Sequence, residues 1–96
     1  MTNKSISILS AMTSESLDKK IEMAKEIVAI EYNKIIAQAN NFKMQYKEDE
    51  FVNTIVNIKD SGELFEYLNK LNILEISLLS SYGIDVAFMN VLKVSE

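Results

Sequence analysis

Five residue types are missing from this 96-residue chain, which has no Cys, His, Trp, Pro or Arg, so that all ten of its basic residues are Lys. Without Cys there is no disulfide framework, thiol nucleophile or thiolate metal site, and a domain this small has to be held by packing or by oligomerisation. Without His the commonest general base near neutral pH, the commonest metal ligand and the usual activator of a Ser or Cys nucleophile are gone. Carboxylates, Lys and Tyr are what remain, and the chain is expected to be no enzyme and to carry no metal or cofactor. Gly is nearly absent as well: Gly62 and Gly83 both fall at the edges of helical patterns, which leaves no Gly-rich phosphate loop.

Positive charge is scarce in the same way. The net charge is −4 and the isoelectric point about 4.8. The Lys residues are scattered: Lys19-Lys20 and Lys43 with Lys47 each lie within a few residues of Glu or Asp. Affinity for nucleic acid or acidic lipid scales with clustered Lys and Arg, so neither is expected as a partner. The most apolar stretch, Ile73 to Leu92, is interrupted by Glu75, Gly83 and Asp85 and makes a poor membrane span. The N-terminal segment lacks the basic and apolar regions of a secretory signal, so a cytoplasmic location is expected. Lys without Arg, beside many Ile and Asn, is the composition of an AT-rich coding sequence, which points to a low-GC bacterium or one of its phages or plasmids.

What the chain has in abundance is apolar residues, 48% of the total, at helical spacing. From Ser16, residues Leu17, Ile21, Ala24, Val28, Tyr32, Ile35, Ala39, Phe42 and Tyr46 form one stripe of a helix some thirty residues long. Ser14 or Ser16 caps its start, and Lys43 and Lys47 favour its negative end. Met23, Ile27, Ile30 and Ala37 lie on a neighbouring face, more than a single partner helix would cover. Glu48-Asp49-Glu50 reads as the acidic first turn of a second helix, with Phe51, Ile55 and Ile58 in one row and Val52 and Val56 in another. Half of a calcium or magnesium site is the competing reading of that run, but the alternating Asp/Asn spacing and central Gly of a calcium loop are missing.

Asp60 and Glu63 have the spacing of a capping box that opens a third helix, whose main face is Leu64, Leu68, Leu71, Leu74, Leu78, Leu79 and Tyr82. Phe65, Ile73 and Ile76 occupy a second flank. Glu75 falls inside the main face, which is resolved if the helix ends near Asn72 and the carboxylate reaches solvent. Gly83 supplies a left-handed cap, Asp85 is placed to cap a last helical piece over Val86 to Val94, and Ile84 with Met89 has the spacing of a hydrophobic staple. Residues 1–13 are Ser-, Thr- and Ile-rich, without a clear period, and read as an extended arm or short helix docked on the domain formed by residues 14–96.

The expected fold is therefore all-α, an elongated antiparallel bundle of three to four helices with one long N-terminal helix. Its surplus of apolar faces points to association, as a self-assembling or homo-oligomeric subunit whose contacts are led by Ile27, Ile30, Phe65, Ile73 and Ile76. The alternative is a small acidic inhibitor, immunity protein or secretion chaperone that masks another protein and uses Glu48, Asp49 and Glu50 to meet it.

Overall fold

The computed structural model describes residues 1–46 and 48–94; the proposed role of Lys47 at the end of the long helix lies outside them. Among the described residues there is no strand. Six α-helices follow one another: α1 (Asn3–Met12), α2 (Leu17–Gln45), α3 (Glu50–Val56), α4 (Ser61–Lys70), α5 (Ile73–Ser81) and α6 (Asn90–Lys93), with a 3-10 turn over Ala87–Met89 leading into the last. The molecule measures 39 × 25 × 21 Å with a radius of gyration of 12.8 Å. At about 1.5 Å per residue, α2 is long enough by itself to set the longest of these dimensions.

Helices α1, α3, α4 and α6 pack against α2, while α5 packs on α6 and the 3-10 turn. The start of α2 is fixed by Ser16, whose hydroxyl accepts from the Lys19 N–H, and Lys43 sits in its last turn, where the helix dipole favours a cation. Residues 3–12 form a helix of their own, capped by Thr2, and dock on α2. The Met1 amino group lies 3.8 Å from Glu31 and the Lys4 ammonium 4.0 Å from Glu26, which places α1 over the flank of α2 where Ile27 and Ile30 sit. Helices α3, α4 and α6 also pack against α2. Buried in between are Ala24, Ile27, Val28 and Ile35 of α2, with Ile55, Leu64, Phe65 and Leu68 from across the interface. Tyr32 ties α2 to the end of α3 by donating to the Ile58 carbonyl at 2.9 Å.

The third helix of the sequence reading is two helices. α4 stops at Lys70, Leu71 turns to extended backbone, and Asn72 starts α5. Asn72 accepts from the Glu75 N–H while Glu75 accepts from the Asn72 N–H, both at 2.9 Å, so the reciprocal capping box belongs here. Asp60 caps α4 by accepting from the Glu63 N–H. Glu75 is thus a capping residue near solvent. Replacing Asn72 by Ala removes an N-cap and is expected to cost about 1 kcal/mol, read as a lower urea midpoint with unchanged slope; no shift would mean that Leu71 and the core alone position the break.

The end of α5 is equally well determined. Gly83 has φ of +85°, the Gly83 N–H bonds the Ser80 carbonyl, and the Ile84 N–H bonds the Leu79 carbonyl. This is a Schellman motif, and its hydrophobic pair, Leu79 with Ile84, is fully buried. Asp85 does not cap the last helical piece, because no side chain caps the 3-10 turn and Asp85 turns to α2 instead.

Candidate functional site

Both ends of α5 are fixed by local chemistry, and the single charge in its sequence, Glu75, is used up in its cap. Its inner side buries Ile76 and Leu79. By helical geometry the outer side presents Ile73, Leu74, Ser77, Leu78 and Ser81, all exposed. Leu74 is 79% accessible, Ile73 42% and Leu78 37%. Three large apolar side chains and two hydroxyls, without a charge, make the outer face of α5 the candidate protein interface. The remaining exposed large apolar residues, among them Ile6, Leu17 and Met44, are spread over other elements.

The two ends of this face differ in charge. At the α4–α5 junction an open cleft of about 540 Å³ is lined by Ile73 and Leu74 together with Asn69, Lys70 and Lys93. Lys93 reaches back to donate to the Asn69 carbonyl. At the other end, Ser81 and Tyr82 border a second depression with Phe42 and Tyr46. The Phe42 and Tyr82 rings stack at 4.1 Å, and Tyr46 leans on Phe42 at 4.9 Å. Tyr82 donates to Asp49 at 2.9 Å, and this bond to a carboxylate, with some desolvation, raises the Tyr82 pKa. The acidic run Glu48 to Glu50 is thereby anchored at the C-terminal end of α5.

A second polar constellation fastens the segment after α5 to α2. Asp85 is gripped at two points by Gln38, which donates to its carboxylate at 3.2 Å and accepts from its N–H at 2.9 Å. The Lys34 ammonium lies 3.0 Å from the same carboxylate and 3.2 Å from Glu31. Glu31 is 2% exposed, and its Oε1 makes no hydrogen bond, so its compensation is ionic, from Lys34 and the Met1 amino group. Lys34 and Gln38 together hold the Asp85 carboxyl below the ordinary aspartate range. Desolvation works against the Lys34 charge, but Asp85, the amino terminus and Glu31 outweigh it and raise its pKa above the usual lysine value.

The signs follow. A depressed Asp85 stabilises the fold at neutral pH and loses that contribution as pH falls below about 4. A raised Lys34 contributes at neutral pH and loses its share only as pH climbs through and beyond the lysine range. Urea titrations at neutral and acid pH are expected to show a smaller acid loss in Asp85→Asn than in the parent chain. An equal loss in both would remove Asp85 from the acid response.

Ser80 and Asp85 line one pocket of about 240 Å³, yet the Ser80 hydroxyl is buried with no hydrogen-bond partner, and Ser81 donates to the Leu78 carbonyl. Among the described residues no three of His, Cys, Asp and Glu are grouped as a metal would need, and no helix is long and apolar enough to cross a membrane.

Of the contacts expected from sequence, Ile27, Phe65 and Ile76 lie in the chain's own core, 0–1% exposed. They are unavailable to a partner because α1, α3, α4 and α6 pack against α2, and α5 against α6 and the 3-10 turn, which supplies the cover that the sequence assigned to another subunit. Ile30 is half-buried, and Ile73 alone reaches the candidate face. Conversely, Leu74 and Leu78, read as part of a buried stripe, are exposed, because the break at Asn72 resets the helical phase. Of the acidic trio, Asp49 caps α3 by accepting from the Val52 N–H, while Glu48 and Glu50 are exposed. The Glu31–Lys34–Asp85 cluster was missed: Gln38 and Asp85 are 47 residues apart, and no local spacing announces their contact. Compared with models of known families, with curated proteins and with solved structures, the chain matches none of them.

Proposed function

We propose that the protein acts by association, with a second copy of the chain seated on the outer face of α5. The observation that carries this reading is the exposed, charge-free run of Ile73, Leu74 and Leu78 on a helix whose ends are rigidly capped. A contiguous apolar patch on a small domain marks a contact site. Its lack of charge favours a copy of the same chain: two molecules of net charge −4 repel, and an uncharged face is where they can meet with the least penalty.

Size sets the strength. A stable interface buries roughly 800 Å² per partner, close to a seventh of the 5558 Å² accessible surface. A nine-residue helix supplies only part of that, so the association is expected to be reversible and concentration-dependent. Light scattering after size exclusion tests it. The mass is expected to rise from 10.9 kDa toward twice that value with concentration, and Leu74→Glu, at a site already exposed, is expected to stay at 10.9 kDa with unchanged helix content. A wild-type chain that remains monomeric at every concentration overturns the proposal.

A further inference from the structure

Resting on that reading, we infer that the two copies dock antiparallel about a two-fold axis near Ser77, so that the basic cleft at the start of one α5 receives the aromatic and acidic end of the other. The asymmetry of the α5 face carries this. Lys70 and Lys93 stand at its N-terminal end, and Tyr46 stands at its C-terminal end, where Tyr82 holds Asp49 between the exposed Glu48 and Glu50. A parallel pairing would set lysines on lysines and carboxylates on carboxylates. Antiparallel pairing sets opposite charges together, twice, because in a two-fold interface each contact is repeated.

Shape agrees with charge. Tyr46 is 63% exposed and adjoins Ser81, whereas the cleft beside Ile73 and Leu74 is open. In the antiparallel pair Tyr46 of each copy comes to the cleft of the other, with lysine ammonium groups beside its ring, an arrangement favourable for a cation over an aromatic face. Ser77 and Ser81 let the two helices approach closely at the centre, and Leu74 and Leu78 flank them. The contact then extends beyond α5 itself, toward the area that the helix alone cannot supply.

The absence of Cys allows a clean test. Ser77→Cys is expected to form a disulfide-linked dimer under mild oxidation, since residues at a two-fold axis meet their own copies, whereas Met44→Cys, 85% exposed and set by helical geometry on the side of α2 opposite Phe42, is expected to remain uncross-linked. Lys70→Glu and Glu48→Lys are each expected to weaken the dimer about tenfold, each change acting twice and growing at low salt. The double variant Lys70→Glu/Glu48→Lys is expected to return to within about threefold of the parent, because the swapped pair is again attractive. If the chain dimerises and Leu74→Glu disperses it, but the double variant is no better than either single one and Ser77→Cys does not cross-link, the antiparallel geometry is overturned and association through α5 stands. A monomeric parent chain overturns both.

Discussion

Phe65→Ala is expected to lower the stability of the folded chain by about 3–5 kcal/mol, the cost of deleting a buried ring from a packed core. Phe65 is 1% exposed on α4, the helix that lies along α2, and the Lys25 ammonium covers its ring at 5.4 Å. A domain of this size has a net stability on the order of 5–15 kcal/mol, so the variant approaches the limit of folding. The expected observation is a large fall in the urea midpoint, with helical signal lost at much lower denaturant and little change in slope. The same variant separates two roles for Phe65. A subunit contact would alter the mass of the assembly and leave the isolated fold intact; a core residue alters the fold itself. Retention of the parent midpoint with a changed mass would return Phe65 to the surface.

That experiment bears on where sequence reasoning succeeds and stops in this protein. The all-α class, the span of α2, a Ser cap at its start (Ser14 or Ser16) and the Gly83 terminus were all legible, because each rests on periodicity or on local backbone chemistry that a few neighbouring residues decide. Asn72-x-x-Glu75 has the residue types and spacing of a capping box, as Asp60-x-x-Glu63 does, but only the second is read as a helix start. Read as an interruption of the apolar stripe, Asn72-x-x-Glu75 displaced Leu74 and Leu78 from exposed to buried in a wheel carried through unbroken. The surplus of apolar faces was real, but two faces on one helix do not say whether a second molecule or the rest of the same chain covers the second. Here α1 covers one flank of α2, and Ile27 is spent inside the fold.

The Glu31–Lys34–Asp85 cluster illustrates the other limit, since its partners are remote in sequence. It also gives the second large effect. Lys34→Met is expected to destabilise the chain by about 1–3 kcal/mol, because it strips the nearest cation from a carboxylate that the fold keeps out of water, while the ammonium itself is 37% exposed and its pairing partly screened. Glu31 makes no hydrogen bond through Oε1, and the other positive group near it, the Met1 amino group, lies 3.8 Å away. Removing the buried charge together with its partner avoids the penalty, so Glu31→Leu in the Lys34→Met background is expected to recover most of the loss. Asp85→Asn should cost much less, because that carboxylate is half in solvent, where screening weakens its pairing with Lys34. Urea denaturation of each variant measures all three, and Glu31→Leu alone completes the double-mutant cycle with Lys34→Met. If Lys34→Met alone shifted stability by less than about 1 kcal/mol, the Glu31 charge would not depend on Lys34. A large loss that Glu31→Leu does not relieve would place the role of Lys34 in packing its alkyl chain against the neighbouring helices, or in holding Asp85. Recovery in the double variant distinguishes a stranded buried charge from both, because only that cause vanishes when the carboxylate does.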